Sequence, residues 1–374
     1  MPLLPPDRPP TLPPTPPLLV TGAAGFLGAH LVARLLASGH RVLGLDDLST
    51  GSVGNLVRLG VAGHPGLTLV EGDAAGTLAG LPAGEPVAGV FHLAASVGVA
   101  RVLADPAAAA ENNLDQTRAV LAFAQARPGG VPVLLASSSE VYGKCPAAVC
   151  AEGDDLVFGP TASARWSYGL AKALDEHLGL AAARSSDLRV VIARLFNAVG
   201  LGQVGRHGMV LPRFVAAAAT GGVLGVHGDG RQSRCFCDAR DTARGLADLL
   251  LGGHRGVFNL GGDQPVAIRA LAEAVRERAL ALGLPGGRVE LQPRGAAYGE
   301  AFEEPRQRVP DLTRIRAATG WSPLIPLSQT IDELLREPTP TPGSGDAPAP
   351  GSGEPIPSPA TSSTPGASPA EAAP

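Results

Sequence analysis

Leu18-Leu19-Val20-Thr21-Gly22-Ala23-Ala24-Gly25-Phe26-Leu27-Gly28 is the stretch that decides the fold. A short apolar run, read as a buried strand, breaks into glycines and then enters a helical pattern over 30–38 that Gly39 closes. Strand, glycine turn and helix, in that order, are what a dinucleotide-binding turn requires. Gly22 permits the tight turn, Gly25 lets the backbone approach a pyrophosphate, and Gly28 lets the helix pack closely on the strand. The helix N-terminus then offers amide groups and a positive dipole end to phosphates. The spacing is GxxGxxG and not GxGxxG, which points to one branch of such folds.

Outward from this turn the chain alternates strand and helix. Arg41-Val42-Leu43-Gly44-Leu45 reads as a second strand ending in Asp46-Asp47. A carboxylate there, about 20 residues past the glycines, is placed to accept from ribose hydroxyls and to repel a 2′-phosphate, favouring NAD over NADP. A third strand over 67–70 leads to Asp73, a candidate partner for the adenine. A fourth, over 90–95, runs into Leu93-Ala94-Ala95, small enough for a flat cofactor to lie across. His92 on it reads as a packed strand residue. A helix over 107–126 carries Asn113 and Thr117, and a fifth strand over 131–136 ends in Ser137-Ser138-Ser139-Glu140. The C-terminal ends of strands are where open α/β sheets bind ligands.

Arg165-Trp166-Ser167-Tyr168-Gly169-Leu170-Ala171-Lys172 then opens a helix reaching about Arg184. Tyr168 and Lys172, four apart, share one helical face. A cation beside a phenol lowers its pKa, making a phenolate base available near neutral pH. A sixth strand over 188–193 leads to Phe196 and Asn197. Beyond it the alternation loosens. The expected division is a Rossmann-type, doubly wound parallel sheet over 18–197 and a smaller α/β substrate-binding part over 198–336, partly interleaved with it. Residues 1–17 and 337–374, rich in Pro, Ser, Gly and Ala, are too poor in core-forming residues to fold and are expected to be disordered.

Composition excludes several classes. Of 374 residues, 45% are hydrophobic, enough for a large core, and the net charge of −4 offers no basic surface to nucleic acid or acidic membrane. No apolar run has the length of a membrane span, and the proline-studded start is no signal peptide. The cysteines Cys145, Cys150, Cys235 and Cys237 show no metal spacing and read as reduced thiols of a cytoplasmic protein, with no metal site expected.

With these residues in place the chain resembles the extended short-chain dehydrogenase/reductases, in their nucleotide-sugar epimerase, dehydratase and decarboxylase group. The resemblance rests on TGAAGFLG, LDDLSTG, EGD, FHLAA, SSSEVYG, RWSYGLAK, RLFNAVG, HGDGRQSRCF and RQRVPDLTRIRAATGW, in that order. It implies Tyr168 as base, Lys172 as its activator and nicotinamide-ribose ligand, and Ser138 as the hydroxyl bridging the sugar. Glu140 either helps hold or distort the sugar ring or is structural, buried beside Arg165. Cofactor contacts are implied at Gly22, Gly25, Phe26, Leu27, Gly28, Asp46, Asp73, Leu93, Ala94, Ala95, Asn113 and Phe196. Asn197, Arg234 and Arg308 are implied to hold the nucleoside diphosphate.

The resemblance further implies bound NAD, a UDP-linked sugar substrate, and a homodimer formed through the helices over 107–126 and 168–184. The chemistry is oxidation at the sugar C4 with no net redox change. A UDP-hexose 4-epimerase is the leading expectation on the breadth of the family. A UDP-glucuronate decarboxylase forming UDP-xylose is the alternative, because Ser139-Glu140 is what such decarboxylases carry, although related epimerases carry it too. A 4,6-dehydratase usually has Asp-Glu at those two positions, and is disfavoured.

Overall fold

The computed structural model describes residues 15–337 apart from 83, 146, 206–208 and 294–305. The proline-rich ends, 1–17 and 337–374, thus lie outside the described residues except for 15–17 and 337. Seven parallel strands make the central sheet: β1 (Leu18–Thr21), β2 (Val42–Asp46), β3 (Leu67–Glu71), β4 (Gly89–His92), β5 (Val133–Ser138), β6 (Val190–Leu195) and β7 (Gly256–Leu260). Their order across the sheet is β7-β6-β5-β4-β1-β2-β3. The strand order reverses at β1, so the crevice between the ends of β1 and β4 is the topological switch point, where such sheets bind ligands.

Alternation along each strand feeds two separate cores. Leu18, Val20, Phe91, Leu134, Val191 and Phe258 face one side, against α1 (Phe26–Ala37). Leu19, Val90, Val133, Leu135, Val190 and Ile192 face the other. There α3 (Ala74–Gly80), following α2 (Val53–Arg58), covers the sheet with α5 (Pro106–Gln125), which follows α4 (Val99–Ala104). Next comes α6 (Ser167–Ser186), packed along α5. A parallel sheet buried on both faces needs this near-continuous run of apolar residues.

The chain beyond 197 supplies two things. α8 (Ala239–Leu251) packs on α1, and β7 extends the central sheet beside β6. A further core gathers Leu211, Phe214 and Ala218 of α7 (Val210–Thr220) with Leu271, Ala272 and Val275 of α9 (Ile268–Ala281). Ile331, Leu334 and Leu335 of α11 (Leu327–Arg336), which follows α10 (Thr313–Thr319), complete it.

Two boundaries and one whole strand differ from expectation for identifiable reasons. α1 begins at Phe26 rather than 30, because its first turn includes Gly28 itself. β5 runs on through Ser137 and Ser138, carrying those hydroxyls to the strand's end. β7 was not expected: its Asn259 breaks the apolar run, yet that side chain is fully buried in polar contacts.

The thiol expectation is corrected in part. Cys145 and Cys150, five residues apart, are joined as a disulfide in the loop after β5, whereas Cys235 and Cys237 are free and buried. Burial pushes both of those thiols up to about 12, so they stay protonated and unreactive.

Candidate active site

The glycine turn is built as its residues require. Gly22 has φ +71, and a Cβ there would come within 2.9 Å of the Ala94 nitrogen. At Gly28 a Cβ would stand 1.8 Å from the Gly22 carbonyl oxygen, so helix and strand could not close on one another. Gly28→Ala is therefore expected to cost roughly 3 kcal/mol and abolish retention of dinucleotide. Thermal unfolding and the nucleotide content of the purified variant would check it.

Gly25 caps α1 through backbone alone, with no side-chain hydrogen bond and no acidic residue in the first turn. The amides of Phe26, Leu27 and Gly28 are left for an anionic ligand. Asp46, buried at the end of β2, accepts from Ala24 N at 2.8 Å and Leu48 N at 2.9 Å. Burial raises its pKa, and the backbone bonds from Leu48 and Ala24 oppose that rise. Each carboxylate oxygen keeps a lone pair for a ribose hydroxyl.

Leu93, Ala94 and Ala95 follow β4 as an open, half-buried segment. Thr21 holds it: its Oγ1 accepts from Ala94 N at 3.2 Å and lies 2.8 Å from His92 Nδ1. His92 is buried, with Nε2 3.3 Å from Thr117 Oγ1. Burial, helped by the Lys172 charge, lowers its pKa to about 3. It is a neutral structural residue. An uncapped helix end, a carboxylate at a strand end and a floor of small residues together fit a dinucleotide.

Three of the implied contacts have protein partners of their own. Asp73 caps α3, accepting from Gly76 N at 2.7 Å. Asn113, 1% exposed, accepts from Ser96 N at 2.6 Å, so it fixes the loop after β4 from behind. Phe196 is buried beside Tyr142, its Cβ close to where a Cβ on Gly261 would stand. All three shape the cradle while their side chains are already engaged.

At the sheet's far side of the crevice, Ser138 ends β5, its Oγ accepting from Glu140 N at 3.2 Å. Tyr168 stands in the first turn of α6, half-buried, and shares a hydrogen bond with Ser138. The structure thus brings Ser138 and Tyr168 together. The electrostatics, however, run opposite to expectation. Burial, then the Glu140 and Asp175 carboxylates, push the phenol above its ordinary range, against the Ser138 bond. Lys172 is buried and ion-paired to Asp175 at 3.2 Å.

Glu140 lies between two guanidiniums, Arg308 Nη1 at 2.6 Å from Oε1 and Arg165 Nη1 at 2.6 Å from Oε2. Burial favours the neutral acid, but the arginines outweigh it and bring the carboxyl down to about 2. Arg308, 3% exposed, also donates to the Gly143 carbonyl at 3.0 Å. Both terminal nitrogens of its fork are thus engaged with protein, where a diphosphate clamp was expected, while Nε is buried without a partner. Asn197, at φ +24, donates to the Cys235 carbonyl at 3.0 Å, which draws it beside the strand carrying Arg234.

A second polar layer was not foreseen. Arg194 on β6 donates two hydrogen bonds to Glu176 (Nε–Oε1 2.9 Å, Nη2–Oε2 2.7 Å), and Ser137 Oγ donates to the same Oε1 at 2.5 Å. The Arg194 guanidinium lies 4.7 Å from the Tyr142 ring, whose hydroxyl donates to Asn259 Oδ1 at 2.6 Å. This layer braces β5, β6 and α6 directly behind the site.

A family model described as the NAD dependent epimerase/dehydratase family matches residues 18–261. The chain belongs to that family. It is an enzyme of the extended short-chain dehydrogenase/reductase type, and its cofactor is NAD. Among its relatives is the UDP-N-acetyl-alpha-D-glucosaminuronate decarboxylase of Bacillus cytotoxicus, 32% identical over 322 residues, which are 85% of this chain and 96% of that one. UDP-glucuronic acid decarboxylase 4 of Arabidopsis thaliana is 30% identical over 86% of this chain and 68% of its own length. Among solved structures, the dTDP-glucose 4,6-dehydratase DesIV of Streptomyces venezuelae, with NAD and TYD bound, superposes with TM-score 0.73 at 29% identity. That match covers 85% of this chain and 95% of the dehydratase. The UDP-glucose 4-epimerase of Thermotoga maritima gives TM-score 0.72 at 25% identity, over 85% and 97% of the two chains.

Among the described residues no helix is long and apolar enough to cross a membrane. None of their His, Cys, Asp and Glu side chains form a group of three placed to hold a metal ion.

Proposed function

We propose that this protein is a cytoplasmic, homodimeric decarboxylase of a UDP-linked hexuronate, acting with NAD through transient oxidation at the sugar C4. The epimerase expectation gives way because the UDP-uronate decarboxylases named above are 30–32% identical to this chain, against 25% for the solved UDP-glucose 4-epimerase. What carries the reading over an epimerase is the likeness to UDP-uronate decarboxylases. The double ion pair on Glu140, which holds that carboxyl near 2 and without a proton at neutral pH, tells only against a 4,6-dehydratase that would use it as an acid. Tyr168 is left to handle the proton of the 4-hydroxyl, with Ser138 holding the sugar oxygen.

NAD supplies hydride acceptance and return at C4. The residues expected to hold it are the amides of Phe26, Leu27 and Gly28, the Asp46 carboxylate, and Lys172 at the nicotinamide ribose. A ketone at C4 is β to a carboxylate on C5, so CO2 can leave with its bonding electrons drawn toward the carbonyl oxygen. A protonated Tyr168 beside that oxygen stabilises the charge. The enolate that remains takes a proton at C5 from water, and Tyr168 keeps its own proton for the 4-oxygen when the ketone is reduced, so the chain itself has to supply one proton-handling group.

Asn197 and Arg234 are the residues we assign to the nucleoside diphosphate. The subdomain division at 197/198 leaves the cofactor, and the Ser138 and Tyr168 end of the sugar site, to the first part, to which β7 and α8 also return. Exposed Leu170 and Leu174, one turn apart on α6, support the dimer face.

The purified protein should release CO2 from UDP-glucuronate or UDP-N-acetylglucosaminuronate without net accumulation of NADH. Product mass and NMR decide it. Inversion of UDP-glucose at the 4-hydroxyl, with both uronates untouched, would restore the epimerase.

A further inference from the structure

Asp175 has no part in the chemistry above, yet its position is unusual for a carboxylate. Its side chain is 5% exposed and sits one helical turn beyond Lys172 on α6. The Lys172 ammonium, itself 4% exposed, stands 3.2 Å from Oδ2, and neither carboxylate oxygen has a well-formed hydrogen bond. A buried carboxylate so poorly solvated by the protein is held charged chiefly by that one cation. Burial works to neutralise it, while Lys172 and, more weakly, the Thr117 hydroxyl favour the charged form.

The groups around the pair leave it isolated. On α6 itself there are Tyr168 one turn before Lys172 and Glu176 next to Asp175. Glu176 is already taken by Arg194 and Ser137. From α5 comes Thr117, and from β4 the neutral His92. From the turn after β5 comes Glu140, saturated by Arg165 and Arg308. Lys172 is therefore the one cation in this set not matched elsewhere, and it has two claimants, Asp175 and the Tyr168 phenolate.

We propose that Asp175 is a positioning residue that draws Lys172 toward itself and so withholds that charge from Tyr168. This rests on Tyr168 being the base. The phenolate competes with the Asp175 carboxylate for one ammonium group, and whatever neutralises or displaces Asp175 hands Lys172 to the phenol. Asp175 touches neither sugar nor cofactor in this account. Its effect passes through Lys172.

The test is Asp175→Asn, which keeps the volume and removes the charge. A phenol whose ionised form gains a nearby cation and loses a nearby anion titrates lower, by about one pH unit or more. The difference absorbance titration of this variant against the same variant carrying Tyr168→Phe should show a phenolate forming at lower pH than in the parent protein. No substrate is needed, so this readout stands whatever the reaction proves to be. With the uronate that reacts, the acidic limb of kcat should move down by a similar amount while KM stays unchanged. Asp175→Glu should restore the parent profile.

Adding Lys172→Met should remove the larger part of the shift and leave only what losing the Asp175 charge itself contributes. An unmoved phenol in folded Asp175→Asn, or an equal shift with Lys172→Met, overturns the proposal. Should Asp175→Asn fail to fold, Asp175→Ala reads the same titration in a helix that already buries Ala171 and Ala173.

Discussion

Tyr168→Phe is expected to lower kcat for the uronate by about 10²- to 10⁴-fold, the range that a positioned proton-transfer group contributes. The reasoning is subtractive. Of the candidate proton carriers, Glu140 is pinned as a carboxylate by Arg165 and Arg308. His92 is buried and neutral with both ring nitrogens facing threonine hydroxyls. Ser138 spends its oxygen on the Glu140 amide while also meeting the phenol. Only Tyr168 is partly open to the cleft and attached to a hydroxyl that can relay to the sugar. The substitution keeps the ring and loses one hydrogen bond, so stability should change by about 1 kcal/mol. Dinucleotide retention should persist, since the glycine turn and Asp46 are untouched. Single-turnover NADH formation would localise the loss to the oxidation step. A fall in kcat of less than tenfold would remove Tyr168 from its role.

Much of the fold could be read directly because parallel strands buried on both faces are written as short apolar runs, and six of the seven were of that kind. β7 escaped because Asn259 interrupts it, and the reason for Asn259 lies far off in sequence. Its amide donates to the carbonyls of Cys150 and Asp311. The Tyr168, Lys172 and Ser138 set was legible as residue types at a helix start and a strand end. What their charges do was not.

A lysine four residues from a tyrosine reads as its activator. Whether the ammonium turns to the phenol or to Asp175, three residues on, depends on which side of α6 the sheet covers. Glu176, Arg194, Asp175 and Arg308 illustrate the same limit. In sequence they look like solvated charges, and burial to 5% or less converts them into an internal polar layer. Arg308 suffered most, since a guanidinium suits a phosphate and a carboxylate equally well. Only the close approach of residues 140 and 308 shows which it holds.

Glu140 should also govern how the protein meets acid. Its carboxyl sits at about 2 in the folded chain, against 4.5 for a free one. A carboxyl depressed on folding adds stability that is fully present above the unfolded value and fades as pH falls toward the folded one. That window runs from about 4.5 to about 2, and the linked contribution is about 3 kcal/mol. The Glu140 side chain keeps 25% of its exposure, so solvent trims that figure somewhat.

Glu140→Gln removes the same charge at all pH values and leaves Arg308, 3% exposed, with an amide oxygen and the Gly143 carbonyl. Breaking one side of a buried pair costs about 3 kcal/mol or more, because the partner stays behind unneutralised. Two curves therefore follow. Unfolding free energy of the parent should fall between pH 4.5 and 2, while that of Glu140→Gln starts lower at neutral pH and loses less on the way down. Chemical denaturation across that range tests both, and parallel curves would mean that Arg165 and Arg308 do not hold Glu140 in solution. Because the same substitution also frees Arg308, the variant should recover neither stability nor turnover when Gln replaces Glu, even though its shape is kept.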